Sequence, residues 1–272
     1  MNISFIDSFL FNGEEIVKMR LEYLYNYVDY FYIVESIYTF SGLKKVEYYL
    51  DKHAEWFKPY MNKIKFIKLD SLFPIGDTIF HNHNERCFYE EKQQRNYVRN
   101  ILLNDFINKD FIVAVCDVDE MYNISKLDTK ENLFTLLTDK YIMLKMKMYM
   151  YTFENYMDDN WEMAFLISSK LLRDHQDLDA IRIFKLGEKT LRLENGWHFT
   201  NFMKSDEIVR KLNSFSHVDL NRPPYNNVDY VNFTLEKGID LFNRKAINIK
   251  SIEFNDKFHD YPELFQKYKN TI

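Results

Sequence analysis

An unbroken apolar run, Phe111 to Cys116, leads straight into Asp117, Val118, Asp119 and Glu120. A stretch with no polar interruption needs burial on both faces, the situation of a strand inside a parallel sheet covered by helices on each side. Side chains two apart on an extended chain share a face, so Asp117 and Asp119 are expected to point together into the crevice at the strand's carboxyl end. Paired carboxylates there suit a hard divalent cation, Mg²⁺ or Mn²⁺, which takes oxygen ligands from one or two acids and from substrate phosphates. They also suit simple solvation of a strand end, and a lone D-x-D pattern does not separate the two. Capping of the following helix is the weaker account, because Asp128 with Glu131 offers its own capping box for a helix near 132–138.

The elements leading to this strand alternate. Ile3 to Leu10 reads as a strand closed by a turn at Asn12 and Gly13. Val17, Leu21, Leu24 and Val28 recur at helical spacing, with Asn12 and Glu15 as the capping start, and Phe31 to Val34 is a short buried strand ending at Glu35. A helix over 46–57, a strand over 64–69 and a helix over 86–106 follow. This order predicts an α/β fold with a doubly wound, mostly parallel central sheet flanked by helices.

Beyond Glu120 the pattern becomes α+β. Leu144, Met146, Met148 and Met150 alternate with Lys145, Lys147 and Tyr149, a strand with one buried and one wetter face. Further strands are expected over 165–169, 180–184 and 190–193, then a turn or strand end at Gly196, Trp197 and His198, and a helix over 206–213. The whole reads as one domain: a nucleotide-binding half over 1–120, an acceptor-side half over 121–243 and a peripheral segment over 244–272.

Composition narrows the function. Lys and Arg number 36 against 41 Asp and Glu, a net charge of −5, which argues against a dedicated nucleic-acid binder and requires any phosphate to be met locally. None of the six glycines forms a dinucleotide-binding or P-loop pattern. Cys87 and Cys116 show no metal-ligand spacing, and His81 with His83 is a weak ligand pair in polar sequence. A reducing compartment fits the cysteines, and the chain shows neither a leader pattern nor a long apolar span, so the expectation is a cytoplasmic protein without a transmembrane segment, compatible with peripheral membrane contact.

Several ordered blocks carry a resemblance: Asp7 to Glu14, Arg20 with Leu21 and Leu24, Val28 to Ser36, Thr39 to Gly42, the acidic Asp117-Val118-Asp119-Glu120, and Gly196-Trp197-His198. Met146 with Tyr151 and Phe153, Ile181 with Arg182, and Lys211 with Leu212 add to it. Over roughly residues 3–240 the chain resembles glycosyltransferase family 17. The resemblance implies a GT-A-like fold and an inverting, metal-dependent transfer of N-acetylglucosamine from a UDP-sugar donor to a glycan or glycolipid acceptor.

Roles then follow as implications of the resemblance. Asp119 would hold the metal, Asp117 would touch it directly or through water and ribose, and His198 would complete the site. Glu35 would accept hydrogen bonds from uracil or ribose, while Arg20, Lys44 or Lys45 would meet the phosphates. Inversion needs a group to take the acceptor's proton, for which Asp219 is the first choice, with Glu162 and Glu120 as others. Trp197 either stacks on the acceptor sugar or packs in the core. Two other classes share parts of the pattern: a haloacid-dehalogenase-like phosphatase, with Asp117 as nucleophile, and a non-catalytic sugar-binding protein.

Overall fold

A computed structural model describes residues 2–184 and 187–269. In the first part of the chain, β1 (Ser4–Leu10), α1 (Val17–Leu24), β2 (Tyr30–Ser36), α2 (Tyr49–Lys52), α3 (Ala54–Phe57), β3 (Ile64–Leu69), α4 (His83–Asp105) and β4 (Phe111–Asp117) succeed one another as expected. The second part contains β5 (Glu120–Met121), α5 (Lys130–Leu136), β6 (Tyr141–Met150), β7 (Asn155–Trp161), β8 (Phe165–Ser168), α6 (Ser169–Asp174) and α7 (Leu178–Phe184). After these come β9 (Thr190–Thr200), α8 (Ser205–Ser214), α9 (Val228–Lys237) and β10 (Ile249–Ser251).

All strands join one ten-stranded sheet in the order β10-β7-β6-β8-β4-β1-β2-β3, with β9 pairing β6 and β5. The pairings β1–β2, β1–β4 and β2–β3 are parallel. Antiparallel β8 sits between β4 and β6, and β7, β10 and β5 are antiparallel to their neighbours as well. The sheet is therefore mixed rather than mostly parallel: the second half of the chain joins the edge of the first through antiparallel β8, while β6 and β9 within it pair in parallel.

Strand β4 has the two covered faces its sequence requires. Ile112, Ala114 and Cys116 pack in one core with α1 and the chain's C-terminal region, while Phe111, Val113 and Val115 pack in a second core with α4, α6 and α7. A third cluster joins Met148, Met150 and Met157 to α8 and α9 through Ile208, Leu212 and Val231. The methionines of β6 are core filling.

Four local expectations are corrected. Residues 180–184 are helical: Asp177 accepts the N–H of Ala180, and Leu178, Ile181 and Arg182 turn inward together at helical spacing. The 46–57 helix is two short pieces starting at Tyr49. Neither expected cap forms: α1 has no side-chain cap, and α5 is capped by Thr129 through the Asn132 N–H. The segment over 244–272, whose last three residues lie outside those described, is not peripheral. Phe254, Phe265 and Tyr268 belong to the main core, and the Trp197 indole donates to the carbonyl of His259 at 2.7 Å. Among the described residues no helix is long and apolar enough to cross a membrane.

Candidate active site

The acidic turn after β4 is shaped from below by Arg20. This side chain is fully buried; its Nε and Nη2 donate to the two oxygens of Asp7 at 2.8 and 2.6 Å, and its Nη1 reaches the carbonyls of Asp117, Val118 and Glu120 at 3.2, 3.3 and 2.5 Å. An arginine holding three carbonyls of one turn sets the direction of the side chains on it. It also cannot meet a phosphate in the crevice, so the expected phosphate role passes to other residues.

The turn's other edge is held by β9. Glu120 pairs with His198 and Met121 with Trp197, and the N–H of Phe199 donates to the carbonyl of Asp119 at 2.9 Å. Between β6 and β9 the register slips: Lys145 faces Glu194 but Lys147 faces Trp197, leaving an extra residue on β9. Gly196 occupies that bulge at φ +91°, and a Cβ there would stand 2.3 Å from the carbonyl oxygen of Met121. Only glycine allows β5 to approach so closely. The bulge phases the strand so that Trp197 turns into the core against Tyr23 and Phe265, while His198 turns to the acidic turn and stacks on Trp161, with ring centroids 4.4 Å apart. Trp197 packs; it is not an acceptor platform.

Asp119 has the Nε2 of His198 at 3.6 Å and the Nζ of Lys211 at 3.3 Å. Burial alone would raise its pKa, but Lys211 and His198 outweigh it and hold the carboxyl well below its ordinary range. Lys211 projects from α8, and Glu14, in the turn after β1, is a further charged neighbour of its ammonium; burial raises the Glu14 pKa despite that ammonium.

Asp117 is occupied differently. Arg95 of α4 and Arg182 of α7 each take one of its oxygens. Burial opposes its ionisation, yet the two guanidinium groups prevail and lower its pKa. Arg182 also forks onto Glu120 at 2.7 and 2.8 Å, and Glu120 further accepts from the Trp161 indole and the N–H of Asp117. Fully buried and filled with donors, Glu120 stiffens the turn and has no free lone pair with which to act as a base.

Other expected residues lie elsewhere. Glu35 is fully buried and accepts the N–H groups of Tyr49 and Leu50 at 2.7 and 2.8 Å together with Lys45, so it caps α2 instead of facing a nucleotide. Lys44 lies over the Tyr38 ring. Asp219 accepts from Asn84 at 2.7 Å, near the start of α4. The helix rise places that residue about 16 Å along α4 from the Arg95 that meets Asp117, and among the described residues no hydrogen bond or ion pair joins Asp219 to the acidic turn. Glu162 pairs with Arg192. His83 approaches Cys87, and among the described residues no group of three or more His, Cys, Asp and Glu side chains gathers as a metal site.

Arg95, Arg182, Trp161, Lys211 and Glu14 are site residues to which the sequence alone assigns no role. Ile181 with Arg182, Lys211 and Glu14 nonetheless fall in the blocks that carry the family resemblance.

The molecule is a mixed α/β protein whose candidate site is an acidic turn after the central strand β4, faced by a histidine and a lysine. Residues 2–258 match the model of Glycosyltransferase family 17, and the chain belongs to that family. It is a glycosyltransferase. No curated protein matches the chain. Among solved structures it is similar to S. aureus TarS residues 1–349, at 12% identity and a TM-score of 0.43, over 84% of this chain and 69% of that one. It is also similar to the same TarS fragment in complex with UDP-GlcNAc, at 12% identity and a TM-score of 0.43, over 88% of this chain and 72% of that one. A likeness so distant fixes neither the fold nor the donor.

Proposed function

We propose that the enzyme moves N-acetylglucosamine from a UDP-sugar to a glycan or glycolipid hydroxyl, with inversion and with a divalent cation, on a GT-A-like scaffold. The observation carrying this reading is the placement of Asp119 just past the carboxyl end of β4, flanked by His198 at 3.6 Å and Lys211 at 3.3 Å. Such a strand end is where an α/β sheet receives a nucleotide.

The donor set is compatible with a cation if the substrate completes it. Asp119 and the Nε2 of His198 offer two ligands, and Mg²⁺ or Mn²⁺ commonly binds through one or two protein groups plus substrate phosphates. Asp117 supports the reading as a neighbour, since both its oxygens already answer to guanidinium groups. When bound, the cation would offset charge on the departing diphosphate. The chain's own contribution is to hold the acidic turn rigid through Arg20, Arg182 and Glu120, and to keep Asp119 anionic at neutral pH.

The phosphatase reading needs a free nucleophilic oxygen on Asp117, and Arg95 and Arg182 hold both. A cytoplasmic setting is consistent with Cys87 and Cys116, both buried and unpaired. A panel of nucleotide sugars, each with and without Mn²⁺, tests the proposal by nucleotide release. Metal-stimulated release from UDP-N-acetylglucosamine is expected. Hydrolysis of a phosphate monoester with no turnover of any nucleotide sugar would overturn it.

A further inference from the structure

We propose that Lys211 is a catalytic residue: its ammonium grips the diphosphate of the donor and stabilises it as it leaves. The inference rests on the transferase reading and assigns a residue to its leaving-group site.

Three cationic side chains of Lys or Arg touch the carboxylates of Asp117, Asp119 and Glu120 among the described residues: Arg95, Arg182 and Lys211. They differ in what they have left to offer. The side chains of Arg95 and Arg182 are 4% and 6% exposed, the first divided among Asp117, Glu91 and Asp179 and the second between Asp117 and Glu120. Lys211 is 25% exposed and, among the described residues, its ammonium makes one hydrogen bond, to Asp119, with the Glu14 carboxyl as a further charged neighbour. An ammonium has three donors. Two remain for phosphate oxygens without releasing the carboxylate, and a compact charge on a flexible stem can follow an oxygen as its bond lengthens.

The helix that carries Lys211 is fixed at the carboxyl edge of the sheet. The Arg210 guanidinium donates to the carbonyl of Asn12 at 2.8 Å, Asn12 donates through Nδ2 to the Ser214 hydroxyl at 2.9 Å, and the Ser41 hydroxyl donates to the carbonyl of Asn213 at 2.7 Å. These bonds tie α8 to the loops that follow β1 and β2, the same carboxyl edge of the sheet that presents Asp119. A lysine held there by three contacts to flanking residues is preorganised for the charge that develops.

In the transfer step the acceptor oxygen bonds to the anomeric carbon while the bond from that carbon to the β-phosphate oxygen breaks. The bonding pair stays on the phosphate oxygen, and the hydroxyl proton passes to solvent. Negative charge grows on the diphosphate, within reach of Lys211.

Calorimetric binding of UDP, inorganic pyrophosphate and uridine to the wild-type protein and to Lys211→Met, with melting temperature as the control for folding, tests the assignment. Loss of a charge-assisted contact should weaken UDP and pyrophosphate by about 10- to 100-fold and leave uridine unchanged. Turnover should fall by about 10²- to 10³-fold, with Lys211→Arg recovering part of it. If methionine lowers the melting temperature, Lys211→Gln carries the same comparison. Equal UDP affinity in wild type and a folded variant would overturn the role of Lys211 alone. Wild-type protein that binds neither UDP nor pyrophosphate would overturn the transferase reading with it.

Discussion

Asp7 and Arg20 form a fully buried ion pair whose arginine also organises the carbonyls of the acidic turn. Removing one member of such a pair leaves the other charged and unsolvated, at a cost of about 3–5 kcal/mol. Arg20→Met is therefore expected to lower the free energy of unfolding by about that amount in a urea titration. If Arg20 instead served phosphate binding, the variant would keep its stability and lose UDP affinity. The sequence puts Glu35 at a strand end and Arg20 within the helical spacing of α1, but it does not show that their charges are consumed internally. That depends on which carbonyl or N–H group a distant segment brings into reach: Glu120 in the first case, Leu50 in the second. Asp119 stands out in the sequence because its signal is local, an apolar strand stopping at alternating acids, whereas its neighbours His198 and Lys211 come from distant segments.

At the level of elements, the pairing of β5 with β9 is what unites Asp119 and Glu120 with His198, and Gly196 permits it. A side chain there must adopt φ near +91° and clear the Met121 carbonyl and the Tyr122 Cα at 2.3 and 2.7 Å. Gly196→Ala combines backbone strain with overpacking, for an expected destabilisation of about 2–5 kcal/mol measured by denaturant unfolding, with activity falling alongside. An alanine variant of native stability would mean that the strands do not approach as described. The sequence marked this glycine as a turn or strand end because a bulge inside a long strand leaves the same trace as a chain reversal. The misreading of α7 has a similar origin. Over 180–184, apolar Ile181 and Ile183 alternate around Arg182, and five residues do not separate a period of two from one of 3.6. The cap at Asp177 lies three residues before that alternation begins.

For the whole molecule, the βαβ alternation that leads to β4 was legible because each strand carries its own burial pattern. The join between halves was not. It relies on β8 inserting beside β4, and on aromatic residues of the last segment, Tyr261 and Phe265 among them, reaching Trp197 with no periodicity to announce it. The result is a site assembled from both halves: β4 supplies the carboxylates, β9 the histidine, α8 the lysine, and α4 and α7 the guanidinium groups that immobilise Asp117. The central claim is that this convergence, focused on Asp119, is where the sugar leaves its nucleotide. Replacing Asp119 by Asn removes the anionic oxygen at nearly constant volume, and the direct measurement is UDP release from UDP-N-acetylglucosamine with Mn²⁺, alongside the melting temperature of each protein. The account predicts a folded variant whose turnover is at least about 10²-fold below that of the native enzyme. Undiminished turnover in that variant would contradict it.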